Sequence, residues 1–110
     1  MKFNIIFKIL KSLYSENTSL IALRIFAQNW NRHGKISLIC LTLDEWTYIF
    51  DLFSILQDDD NGEDFIHLMN DLLAHPCILK VIQDCRFVSD MLFHQYGINL
   101  NNVFDIEVNF

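Results

Sequence analysis

Hydrophobic positions along the chain change their period several times, and each change predicts a new element. Ile5, Ile6, Ile9, Leu10 and Leu13 recur at helical spacing, which predicts an amphipathic helix over residues 4–14. Ser15-Glu16-Asn17-Thr18-Ser19 interrupts the pattern, and Leu20 to Ala27 then reads as a strand. A polar turn from Asn29 to Gly34 leads into a second strand, Lys35 to Thr42, and Asp44-Glu45 turns the chain into a third, Trp46 to Leu52. Short turns between these three predict an antiparallel meander. Phe65, Leu68, Met69, Leu72 and Leu73 return to the helical period in a helix ending near His75-Pro76. Ile78 to Ile82 is nearly all apolar, as in a strand covered on both faces. Val88, Met91 and Leu92 give the next helix its buried stripe, and Gly97 is placed to end it in the left-handed conformation. Val103 to Val108 predicts a last short strand or the start of another helix.

Antiparallel strands followed by strand–helix–strand units predict an α/β domain with a mixed sheet. At 110 residues and 52% apolar the chain holds one core at most. Its first eleven residues have the apolar character of a signal peptide, but Lys8 and Lys11 break the apolar run and no small-residue cleavage site follows. No run reaches the roughly 18 apolar residues that a membrane span requires, so no membrane partner is expected. Cys40, Cys77 and Cys85 are widely spaced in apolar surroundings, which fits buried thiols in a reducing compartment, and a cytoplasmic location is expected. His33, His67, His75 and His94 share no short spacing and no Cys-x-x-Cys is present, so a zinc site is not expected.

The net charge of −6 works against non-specific binding of nucleic acid, which phosphate attraction dominates. Much of the acid, however, lies in Asp58 to Asp64, which reads as a solvated loop and the acidic first turn of the next helix. Arg24, Trp30, Arg32, His33 and Lys35 gather around the first turn, with Arg86 further on, in a combination suited to phosphate contact and base stacking. An ordinary exposed basic turn explains the same residues equally well.

The block from Ile78 to Asp105, with Gln83-Asp84-Cys85-Arg86-Phe87-Val88 in its polar turn and Asn102-Val103-Phe104-Asp105 at its end, resembles the second motif block of the DEDD-type 3′–5′ exonuclease domain family. Arg32-His33-Gly34-Lys35 and Tyr48-Ile49-Phe50-Asp51 are similar to weaker family features, and the likeness extends from about Ile21 to Val108. The resemblance implies a ribonuclease-H-like fold. In active relatives, carboxylates hold two divalent cations, magnesium or manganese, about 3.5–4 Å apart. The first two come from an Asp-x-Glu pair on the first strand, where alternation puts both on one face.

Carried onto this chain, that pair falls on Arg24 and Phe26, and no Asp or Glu occurs between Asn17 and Leu43. At about 4 Å and an effective dielectric near 20, unit charges interact by about 4 kcal/mol, and a dication doubles this. An arginine there turns strong attraction into repulsion of similar size. Where many active relatives carry His-(Asp or Ala)-x-x-x-Asp, Gln83 and Val88 stand at the histidine and aspartate positions. Asp84 reads as a helix N-cap whose side chain accepts from the first amides, and Asp90 as solvent-facing. Asp105 matches the aspartate that in the family ties the sheet to the next helix.

The leading expectation is therefore a catalytically inactive exonuclease-like domain that holds no metal and acts as an RNA-binding or adaptor module. The resemblance runs to a branch of the family in the piRNA pathway, which implies Tudor-domain or Argonaute-type partners and is compatible with a homodimer. An active metal-dependent exonuclease and a truncated, non-functional copy are the alternatives. Residues 1–19 read as a helix and linker, and 20–110 as the N-terminal part of the exonuclease-like domain. The third catalytic motif is expected beyond Phe110. Phe104, Ile106, Val108, Phe110 and the strand surface from Ile36 to Leu41 are then expected to be under-covered, so that the chain is an oligomer, is loosely packed or needs a partner segment.

Overall fold

A computed structural model describes residues 3–15, 18–28 and 34–106. The predicted elements are present in order, with one short helix, α2, that the sequence pattern did not predict: α1 (Phe3–Ser15), β1 (Leu20–Ala27), β2 (Ile36–Leu43), β3 (Trp46–Asp51), α2 (Leu52–Ile55), α3 (Asp59–Leu73), β4 (Leu79–Ile82), α4 (Cys85–Tyr96) and β5 (Val103–Asp105). The five strands form one mixed sheet in the order β3-β2-β1-β4-β5. The β1–β2 and β2–β3 pairs are antiparallel, whereas β1–β4 and β4–β5 are parallel. This is the ribonuclease-H-like arrangement, with the meander on one side of β1 and the crossover unit on the other.

Alternation along the strands sorts the two faces of the sheet. Ile21, Leu23 and Ile25 of β1, Ile39 and Leu41 of β2, Phe50 of β3 and Ile82 of β4 are buried in one core with Phe65, Met69 and Leu72 of α3. The Phe50 and Phe65 rings meet at 5.5 Å between centroids, which places α3 over this face. Leu10 and Leu13 bring α1 into the same core. Ala22, Arg24 and Phe26 necessarily point the other way, and Arg24 and Phe26 are exposed.

Local chemistry sets the element ends. Asp51 Oδ1 accepts from the Ser54 amide at 3.3 Å, so the third strand ends one residue earlier than predicted and the short α2 begins. Asp58 caps α3 by accepting from the Asn61 amide at 3.0 Å, and that hydrogen bond lowers its carboxyl pKa. The acidic run thus forms a helix cap and first turn. Gly62 of α3 passes close to α2, where a Cβ would stand 3.2 Å from the Ile55 carbonyl oxygen. Gly97 ends α4 at φ 68° in the left-handed region.

Three expectations are corrected, on the strand surface from Ile36 to Leu41, on the cysteines and on the cover of β4. The surface from Ile36 to Leu41 is largely covered, with Ile36, Ile39, Cys40 and Leu41 buried, because Ile36, Ile39 and Leu41 join the core that the helices α1 and α3 pack into. Among the described positions near the end of the chain, Phe104 and Ile106 are exposed, while Val108 and Phe110 lie outside the described residues. Cys40 is buried as expected, but Cys77 is exposed and Cys85 only half-buried. The strand β4 is fully covered on one face only, since Leu79 and Val81 stay partly exposed. Among the described residues no helix is long and apolar enough to cross a membrane.

The one buried charged side chain among the described residues is Lys80 of β4. Its Nζ donates to the carbonyl oxygens of His75 at 2.5 Å and Asn101 at 2.8 Å, tying the loop before β4 to the loop before β5. Burial pushes its pKa down from 10.5 to about 8. Replacing Lys80→Met keeps the stem but leaves two carbonyls without a donor, and should cost about 1–3 kcal/mol in urea denaturation at pH 7. Between pH 8 and 10.5 the unfolded lysine holds its proton while the folded one has released it. Unfolding free energy therefore rises with pH across that window in the parent and not in Lys80→Met, so the gap between them widens. Parallel denaturation curves at pH 7, 8, 9 and 10 measure it.

Candidate functional site

The parallel pair β1–β4 ends at Leu23–Ile82, and β1 then runs on without β4 beside it. The chain leaves β1 toward β2 and β4 toward α4, so a crevice opens at the carboxyl ends of the strands, where open α/β sheets bind their ligands. A groove of about 560 Å³ occupies this position. Its walls include Ala22, Arg24 and Phe26 from β1, Thr42 from β2, Val81 from β4, Gln83 and Asp84 from the following turn, Val88 from α4, and Ile106.

All four motif positions named from the sequence, Arg24, Phe26, Gln83 and Val88, thus line one groove. Residues 24 and 26 share a face because two strand residues separate them. The guanidinium carbon of Arg24 stands 5.2 Å from the centre of the Phe26 ring, a cation–π distance. Cross-strand from Arg24 lies Cys40, whose thiol pKa is raised by burial and partly offset by the Arg24 charge. Val88 is fully buried in the floor, while Gln83 stands exposed.

A pair of divalent cations needs several oxygen donors converging on one point. The four motif positions supply a guanidinium, a phenyl ring, a carboxamide and an isopropyl group. Among the groove-lining residues Asp84 is the single carboxylate, and among the described residues no cluster of three or more His, Cys, Asp or Glu could hold a metal ion. This donor set does not fit two dications.

Asp84 occupies the N-cap position of α4, but its side chain makes no capping hydrogen bond, contrary to the sequence expectation. Its backbone is left-handed at φ 63° and ψ 55°, which turns the side chain away from the helix amides. Asp105 of β5 takes over that task. Its Oδ1 accepts from the Asp84 amide at 3.1 Å and its Oδ2 from the Cys85 amide at 2.9 Å. The thiol of Cys85 is raised by burial and then by the charges of Asp105 and Asp84, so it stays protonated and unreactive. Asp90 pairs with His94 along α4 at 3.1 Å.

The proposed nucleic-acid contacts do not form one cluster. Trp30, Arg32 and His33 lie outside the described residues. Lys35 is exposed, with its ammonium 5.8 Å from the Phe53 ring, and it does not line the groove. Arg86 lines a shallower depression with Phe87, Asp90 and Phe93 on α4. Sequence reasoning missed Gln95, whose carboxamide donates to the Gly34 carbonyl and accepts from the Ile36 amide, fastening the end of the first turn to α4. It also missed the Asp105 cap, for which the match to the family aspartate was the available signal.

Residues 26–109 match the 3′–5′ exonuclease family. A curated relative, "piRNA biogenesis protein EXD1" of Mus musculus, is 38% identical over 96 residues, covering 87% of this chain and 16% of the relative. The protein of the same name from Xenopus laevis is 39% identical over 93 residues, with 84% and 20% covered. The chain therefore spans a fifth or less of the length of these relatives. Among solved structures, the RNase D of Trypanosoma brucei in complex with RNA U12 superimposes with a TM-score of 0.77 at 26% identity, covering 96% of this chain and 35% of that one. The EXD2 exonuclease domain soaked in Mg and GMP shares the fold, with a TM-score of 0.70 at 20% identity and 94% and 51% covered.

Replacing Asp105→Ala should cost about 1–2 kcal/mol, because two first-turn amides of α4 lose their acceptor. Asp105→Asn, which keeps one acceptor oxygen, should lose less. Chemical denaturation of the two variants beside the parent checks the order.

Proposed function

This chain belongs to the 3′–5′ exonuclease family, and we propose that it is a catalytically inactive member of it, an RNA-binding or adaptor module in piRNA biogenesis. The observation that carries the reading is the groove itself. The positions that would bring metal-binding carboxylates together do converge there, and they present Arg24, Phe26, Gln83 and Val88. A positive guanidinium in place of a carboxylate opposes a dication by several kcal/mol at contact distance. Phe26 and Val88 have no donor atom to offer.

The pathway comes from the relatives named for piRNA biogenesis. RNA as the ligand class draws on the likeness to RNase D bound to RNA. The basic first turn, with Arg32 and Lys35, supplies positive charge despite the net charge of −6, because the acidic run at Asp58 to Asp64 belongs to a separate element. An adaptor of this kind would work in the cytoplasm beside Tudor-domain or Argonaute-type proteins, alone or as a homodimer.

A 3′-labelled RNA oligonucleotide incubated with manganese tests the reading. The chain should leave it intact, and the double variant Arg24→Asp, Phe26→Glu should not degrade it either, since Val88 still supplies no ligand. Shortening of the labelled strand by the purified parent chain would overturn the inactive reading in favour of a metal-dependent exonuclease.

RNA binding is checked separately. Replacing Arg32 and Lys35 together by Ala should weaken affinity and flatten its salt dependence by about one phosphate contact per residue. Filter binding across a salt series measures both. An unchanged slope would remove the turn from the binding surface.

A further inference from the structure

The sheet has two edges, and only one of them is guarded. β5 is three residues long, too short to template a further strand. β3 is the outer strand on the opposite side, and its six residues pair with β2 from Trp46–Leu43 to Asp51–Leu38 without a shift of register. Half of its amides and carbonyls point away from β2, and no described strand meets them. Trp46 to Asp51 contains no Lys, Arg, Pro or Gly, and no bulge bends it away. Its one charge, Asp51, is drawn into capping α2. The usual devices against strand addition are therefore missing along most of this edge.

The side chains beside the edge suit a strand better than a flat surface. Trp46, Ile49 and Phe53, at 69%, 64% and 60%, are the most exposed large apolar residues among those described. Trp46 shares the sheet face of Phe50, whereas Ile49 lies on the opposite face. A partner laid on either face would cover one of the two and leave the other in water. An added strand, whose own side chains alternate between the faces, covers both. Charge then sets its composition. Asp44 and Glu45 are exposed in the turn before β3 and form no ion pair among the described residues. At the far end the Lys35 ammonium stands over the Phe53 ring, so positive charge in the added strand belongs at the turn end. Pairing β3 with itself across a two-fold axis would bring Asp51 of each copy to the Asp44–Glu45 end of the other, between molecules that each carry a net charge of −6. A basic segment meets the same acids with attraction.

We propose that β3 is a docking edge for an extended peptide of a partner protein, about six residues long, apolar at alternate positions and ending in Lys or Arg. The peptide adds antiparallel to β3, which sets its C-terminal side against Asp44 and Glu45 and its apolar residues against Trp46 and Ile49. Backbone bonds to the free side of β3 hold it, and its alternate side chains give selectivity. This edge is separate from the groove at the carboxyl ends of β1 and β4, so it serves a partner whether or not the groove performs chemistry.

Fluorescence polarisation of the 110-residue chain with a labelled peptide that alternates Val and Thr and ends in Lys-Lys-Arg tests the proposal. Saturable binding is expected. N-methylation of alternate peptide amides should abolish it, and a Glu-Glu-Glu ending should weaken it about tenfold or more. Ile49→Lys, a change at an exposed position, should weaken it by a similar factor while the thermal melt stays cooperative. Glu45→Lys combined with Asp44→Asn should reverse the preference so that the Glu-ended peptide binds more tightly, a gain that misfolding cannot produce. Asn suits the left-handed backbone of position 44 at φ 56°, so the turn is not strained. No saturable binding to the folded chain, binding indifferent to N-methylation or to Ile49→Lys, or equal binding of the two endings would overturn the proposal. Sedimentation supplies the remaining outcome. A dimer that Ile49→Lys dissociates and the peptide does not would assign the edge to a second copy of the chain and overturn the peptide as its occupant.

Discussion

The central position of β1 governs this molecule. It pairs antiparallel with β2 on one side and parallel with β4 on the other, so its strand alternation is locked by two ladders at once. Burying Ile21, Leu23 and Ile25 in the core then commits Arg24 and Phe26 to the opposite face. A slip of one residue would exchange the two sets and drive a guanidinium into a core of Leu, Ile and Phe side chains, at a cost no single contact could offset. Register, core and groove are therefore one constraint viewed from three sides.

That coupling explains how the scaffold and its chemistry can part company. Along β1 the core residues Ile21, Leu23 and Ile25 alternate with Arg24 and Phe26, so the two sets of side chains occupy opposite faces of the sheet. Clustered carboxylates in an exonuclease site repel one another and cost stability when no cation is present. In this groove Arg24 lies against the Phe26 ring and Val88 is buried. The fold keeps its crevice at the carboxyl ends of β1 and β4 because strand order creates it, whatever side chains line it.

Lys80 and Asp105 show the other kind of bond this small domain relies on. Each fastens segments far apart in sequence through hydrogen bonds to backbone atoms, Lys80 joining the loops at His75 and Asn101, and Asp105 joining β5 to the start of α4. Gln95 does the same between α4 and the end of the first turn. Backbone groups buried between elements need partners, and a long side chain that reaches two of them substitutes for regular ladder bonding. Neither Lys80 nor Gln95 stands out from its sequence neighbours, because what each one satisfies lies 5 to 61 positions away, whereas the family resemblance marked Asp105.

By itself the sequence determined the order and type of nearly every element, since period two and period 3.6 are local properties of where apolar residues recur. It also determined that residues 24 and 26 share one face and carry no carboxylate, because alternation within a strand needs no knowledge of the partner strands. Only the tertiary structure decided that these two meet Gln83 and Val88 in one groove, that Ile36, Ile39, Cys40 and Leu41 are buried, and that Asp105 rather than Asp84 caps α4. Those facts depend on strand order, on the parallel register of β1 with β4, and on a left-handed backbone at Asp84. Each is set by contacts between residues distant along the chain, which no local pattern encodes.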